Sequence, residues 1–94
     1  MAAKIEVENV GPDQFRVHVI ERETETSHLV TAKKADCERI SAGKIEPAEL
    51  LRRSFEFLLE NEPKESILAR FDLSVIARYF PAFEREMKRR LSAK

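Results

Sequence analysis

The chain has no tryptophan, one cysteine and two glycines among 94 residues, and its 17 basic side chains are matched by 17 acidic ones. Each shortage removes a class of function. A lone Cys37 leaves no partner for an internal disulfide and fits a reducing compartment. Two glycines, Gly11 and Gly43, are too few and too far apart for a phosphate-cradling loop or a dinucleotide fingerprint. Zero formal charge gives no general attraction to nucleic acid or anionic lipid. No apolar run approaches the roughly 18 residues a membrane span requires, and no charged-then-apolar leader follows Met1. The expectation is a soluble, cytoplasmic protein without a membrane partner.

What is present suffices for one small domain, residues 1–94. At 43% apolar and 36% charged residues the chain is too apolar for disorder. Ile5 and Val7 alternate with Glu6 and Glu8, and Phe15, Val17 and Val19 with Arg16 and His18, the period-two pattern of half-buried strands. Gly11-Pro12-Asp13 is turn chemistry, and a polar turn at 21–24 leads to a β-branched third strand at 26–31. The helical pattern starts at Ala35, where a short helix runs to Ala42 and stops at Gly43. Pro47 opens a second helix with Leu50, Leu51, Phe55, Leu58 and Leu59 on one stripe, while Phe57 falls off it toward a different neighbour. A last helix from Pro81 carries a narrow stripe of Phe83, Met87 and Leu91, suited to docking on the sheet or to a partner chain.

Between Pro63 and Pro81 lies a doublet: Ser66-Ile67-Leu68-Ala69-Arg70-Phe71 is followed eight residues later by Ser74-Val75-Ile76-Ala77-Arg78-Tyr79. In one continuous helix, turning about 100° per residue, Asp72 would fall beside the apolar arc and Arg78 inside it. Two short helices split at Asp72 fit better, because Asp72 then caps the second. The period is too short for a solenoid unit.

The candidate sites are few. His18 and His28 face each other on the outer side of the sheet if the hairpin turn centres on residue 23, which also sets Val17 opposite Leu29 inside. Two imidazoles fall short of the four ligands of a structural zinc, so no metal is expected. Cys37 lies between Asp36 and Glu38, which disfavour the thiolate a nucleophile needs. Glu49 with Arg53, and Arg52 with Glu56, are surface pairs at i,i+4. With no catalytic triad spacing either, the chain reads as a non-enzyme without a cofactor. Arg70 and Arg78 hold matching places in the doublet. They could display a paired anion site, or simply pair with Glu62, Glu65 or Glu84. Lys88-Arg89-Arg90 concentrates positive charge at the C-terminal end, where the helix dipole already favours it.

The stretch from Arg53 through Glu84, RSFEFLLENEPKESILARFDLSVIARYFPAFE, resembles a family of small bacterial proteins of about this length with no assigned function. The likeness centres on the Glu-Pro, Phe-Asp-Leu-Ser and Tyr-Phe-Pro segments and covers most of the chain after Thr31. It implies a bacterial α+β domain and brings no catalytic residues.

The predicted architecture is α+β: an N-terminal three-stranded antiparallel meander (residues 1–32) packed against four to five C-terminal helices (33–94). The predicted core is Val7, Phe15, Val17, Leu29, Leu51, Phe55 and Leu58 from the first part, with Ile67, Leu68, Phe71, Val75, Ile76 and Tyr79 from the doublet. The expected function is that of a non-enzymatic protein-interaction module, self-association included, using exposed members of Phe57, Phe80 and Phe83. The alternative is a nucleic-acid accessory protein using the basic tail. The binding candidates are therefore Arg70, Arg78, Phe83, Lys88, Arg89 and Arg90.

Overall fold

Alternating strands joined by tight polar turns build the first layer. In the computed structural model, which describes residues 3–92, β1 (Lys4–Gly11), β2 (Gln14–Glu21) and β3 (Thr24–Thr31) form the expected antiparallel meander. The β1–β2 turn places Asp13 at φ 58°, and the β2–β3 turn places Arg22 at φ 48°. Asn9 Nδ2 donates to the carbonyls of Gly11 and Gln14, both at 3.2 Å, beside the register irregularity that ends β1.

The register of β3 differs from expectation by one residue. Its loop is the two-residue pair Arg22-Glu23, so Val17 faces His28 and His18 faces Ser27. A one-residue slip exchanges the two faces of a strand. Thr26, His28 and Val30 therefore turn inward with Phe15, Val17 and Val19, while Leu29 leaves the predicted core for the outer face.

The sheet also has a fourth strand that the sequence pattern concealed. β4 (Arg70–Asp72) pairs parallel to β3, with Val30 opposite Phe71, and the Leu29 N–H donates to the Ala69 carbonyl at 2.7 Å. The strand order is β1-β2-β3-β4, which makes the sheet mixed. Parallel pairing needs a long crossover. Here α1 (Lys34–Ser41), α2 (Pro47–Asn61) and a 3-10 turn at Lys64–Ser66 supply it. The first copy of the doublet is thus largely extended, contrary to the predicted helix. Pairing with β3 and burial of Phe71 outweigh its local helical pattern. The second copy does turn helical, as a 3-10 turn at Leu73–Val75 running into α3 (Ile76–Tyr79). Asp72 caps it, its Oδ1 accepting from the Ser74 N–H and hydroxyl, each at 2.9 Å. Then α4 (Phe83–Ser92) follows. Among the described residues this gives an α+β fold of four strands and four helices.

α1 ends in two left-handed residues, Ala42 at φ 56° and Gly43 at φ 72°, so the expected glycine stop is shared with an alanine. α2 starts at Pro47 as expected and lays Leu50, Leu51, Phe55 and Leu58 on the core. It lies across β1 and β2. The Phe55 ring rests against His28 (centroids 5.3 Å) and Phe71 (6.0 Å). Phe57 points to a second aromatic cluster, 5.8 Å from Phe80 and 5.3 Å from Phe83.

Phe83 and Met87 are fully buried. The stripe of α4 thus docks within the chain, on α1, α2 and α3 rather than on the sheet. Arg39 Nη2 and Nε reach both oxygens of Glu84, at 2.8 and 3.3 Å, and bolt α1 to α4. Leu68 and Tyr79, both predicted core residues, are 47% and 66% exposed, and Val75 is half-buried. Met1 and Lys94 lie outside the described residues. Among those described, no helix is long and apolar enough to cross a membrane.

Candidate functional site

The doublet's two copies line one cleft. Ile67, Leu68 and Phe71 come from the first copy, and Val75, Ile76 and Tyr79, their sequence equivalents, from the second. All three matched apolar positions therefore face the same hollow, whose volume is about 350 Å³. Leu58 and Glu62 of α2, with Ser66 and Phe80, complete the lining. The extended first copy and the helical second copy form a cleft because Asp72 turns the chain between them.

Buried polar contacts position the first copy. The His28 ring is almost completely enclosed, with Nδ1 2.7 Å from the Leu68 carbonyl and Nε2 2.8 Å from the Thr26 hydroxyl. A carbonyl only accepts, so Nδ1 carries the proton and Nε2 accepts from Thr26. The neutral ring thereby spans the sheet and the cleft-lining segment. Burial pushes the His28 pKa below the ordinary imidazole value. The bond to the Leu68 carbonyl partly opposes this, and His18 adds to it.

Lys64 pins the start of the same segment. Its side chain is 3% exposed, and Nζ donates to Glu21 (2.9 Å), Thr24 Oγ1 (2.7 Å) and Glu65 (2.7 Å). These contacts tie the 3-10 turn to the β2–β3 hairpin. The hydrogen bond it donates to Glu65, followed by that to Glu21, holds the lysine pKa above its usual value. One end of the first copy is thus held by Lys64, and Leu68 by His28.

The cleft is chemically plain. Its polar side chains are Glu62, Ser66 and Tyr79, and no hydrogen bond joins them among the described residues. The carboxylate of Glu62 has no ion-pair partner there either. Nothing in the cleft couples a nucleophile to a base. Cys37 lies elsewhere in the core, its thiol directed to the Ala32 carbonyl at 3.7 Å. Burial, followed by Asp36, Asp13 and Glu38, pushes that thiol's pKa up. Among the described residues no group of three or more His, Cys, Asp or Glu side chains is arranged to hold a metal.

The other residues singled out from sequence are dispersed. His18 and His28 do not meet. His18 stays on the outer face, 2.9 Å from Glu25, while the register shift carries His28 inward. Arg70 is exposed on the outer face of β4, and Arg78 is exposed on α3. They sit on different elements, and among the described residues neither guanidinium makes a hydrogen bond or ion pair. Of the glutamates expected to satisfy them, Glu65 pairs with Lys64 and Glu84 with Arg39, and Glu62 pairs with neither arginine. The predicted Glu49–Arg53 and Arg52–Glu56 pairs form at 2.8 and 2.6 Å.

In the basic cluster, Arg89 pairs with Glu86. Arg90 contacts Glu86 (3.0 Å) and Glu60 (2.6 Å) and lies 5.7 Å from the centroid of the Phe57 ring. Lys88 is exposed. Of the aromatic contact set, Phe57 and Phe83 are core residues and Phe80 is half-buried in the cleft.

No protein-family model, curated protein or solved structure matches this chain. Sequence reasoning missed the cleft because it took the doublet for two packed helices. The signal was the identical apolar spacing of the two copies.

Proposed function

We propose that this protein is a non-enzymatic interaction module and that the cleft between the two copies of the doublet is its contact surface. The observation that carries this reading is the exposure of Leu68 and Tyr79 beside an apolar hollow. An exposed apolar patch with a pocket is the ordinary mark of a docking surface. The polar groups of the cleft can anchor and orient a partner, and no reactive pair adjoins them. The nucleic-acid alternative draws less support, because Arg89 and Arg90 already satisfy Glu86 and Glu60 within the chain.

The test is a random-peptide display selection against the immobilised protein, followed by NMR titration of a selected peptide. Shifts concentrated at Leu68, Val75, Ile76 and Tyr79, and their loss in Leu68→Glu, are the expected result. Failure to select any peptide by a monomeric protein, or shifts confined to another face, refutes the reading.

A further inference from the structure

We infer that the partner docking in the cleft is a peptide segment that carries a basic side chain beside an apolar one. This rests on the cleft being a contact surface and names the charge of what it takes. Among the described residues that line the hollow, Glu62 alone is charged, and no base faces it. Its carboxylate makes no hydrogen bond or ion pair among the described residues. The hollow, about 350 Å³, is at the small end of the range for ligand pockets, about 300–1,000 Å³. It therefore suits an apolar side chain with its basic neighbour rather than a whole helix face.

The chain leaves this carboxylate uncompensated because the nearby bases are committed elsewhere. Lys64, two residues on, is enclosed and directs Nζ to Glu21, Thr24 and Glu65. The last turn of α2 holds no basic residue. Arg90 reaches that end of the helix from α4 but pairs with Glu60 and Glu86. Arg70 and Arg78 lie outside the lining. Glu62 is also the C-cap residue of α2, where the helix's unpaired carbonyls concentrate partial negative charge. An acid at this end of a helix is locally unfavourable, and a bound cation relieves it. The backbone presents the group from a fixed place. Glu62 is extended (φ −157°, ψ 156°) before Pro63, and the following turn is pinned through Lys64, so little ordering is left to binding. The rest of the lining accepts a cation too. The hydroxyl oxygens of Ser66 and Tyr79 are acceptors, and the ring faces of Phe71, Tyr79 and Phe80 are of the kind that attract positive charge.

The test sorts one random-peptide display library in parallel against the wild-type chain and Glu62→Lys. Glu62 is partly exposed, and thermal melts by circular dichroism check that each variant is folded. Peptides that dock in the cleft are recognised by NMR shifts at Leu68 and Tyr79. In the wild-type pool they should carry Lys or Arg next to an apolar residue, and in the Glu62→Lys pool Asp or Glu. The best wild-type peptide, labelled for fluorescence anisotropy, should bind Glu62→Gln about tenfold more weakly. Its affinity should fall with added salt for the wild type and much less for Glu62→Gln, since screening acts on the charge pair.

Cleft-bound peptides without basic enrichment, or with the same composition in both pools, overturn the inference and leave the cleft a contact surface. Equal affinity of the wild type and Glu62→Gln for the selected peptide does the same. Concentration-dependent self-association that shifts Leu68 and Tyr79 overturns it in favour of a second copy. A monomer that selects no cleft-binding peptide sinks it together with the interaction reading.

Discussion

Replacing His28 with leucine should change how stability depends on pH, not only how large it is. In the folded chain His28 is neutral, enclosed and bonded through Nδ1 to the Leu68 carbonyl. Leucine keeps an apolar side chain of comparable bulk but leaves that carbonyl without its donor. Losing this part-buried hydrogen bond costs about 0.5–1.5 kcal/mol, so the variant should be less stable by that amount at pH 7.5. Acid then acts on the wild type alone. Burial holds the folded-state pKa below the ordinary imidazole value of about 6.5, so below that pH the unfolded chain binds a proton that the folded chain refuses. Stability present above pH 6.5 is therefore lost as pH falls toward the folded-state value, at a limiting rate of about 1.4 kcal/mol per pH unit.

By pH 5 the wild type can have lost up to about 2 kcal/mol through this group, and the gap to His28→Leu should have narrowed by as much. Stopping at pH 5 keeps the paired carboxylates out of the measurement. Glu49, which its two arginines hold at about 2, and Glu84, lowered by Arg39, contribute stability that is lost only at more acid pH. The assay is urea unfolding followed by circular dichroism, since the chain has no tryptophan to report by fluorescence. Parallel curves for the wild type and His28→Leu between pH 7.5 and 5 would refute the reasoning.

Two further predictions concern the core. Phe83→Ala should lower unfolding stability by about 3–5 kcal/mol, because the ring is fully enclosed and α4 loses its contact with Phe57; a loss under 1 kcal/mol in denaturant titration would show that α4 is not docked as described. Cys37 should resist a thiol reagent at neutral pH in the folded protein and react fully in urea. Burial and its acidic neighbours both oppose the thiolate, so equal rates in the two conditions would refute that environment.

How far the sequence was legible depends on the range of the interactions. The strands, the Pro47 helix and the Asp72 cap were readable because alternation, a proline at the first turn and a capping carboxylate act within a few residues. Phe57 already stood out as off the stripe, and it meets a separate cluster. The placement of His28 was not readable. It hinged on whether the β2–β3 loop is centred on residue 23 or between Arg22 and Glu23, and one residue of register moves His28 from the outer face to the core. β4 was hidden for a related reason. Its three residues sit inside a pattern with helical character, and only β3, some forty residues earlier, offers the backbone groups that make them a strand.

By itself, the sequence determined an α+β chain with a meander first and helices after, and a doublet broken at Asp72. Those properties follow from local periodicity and caps. Tertiary structure alone decided that the doublet's equivalent positions form one cleft instead of two matching helices. The energies of pairing with β3 and burying Phe71 against Phe55 exist only once distant segments meet, and they are large enough to overrule the preference of six residues for a helix.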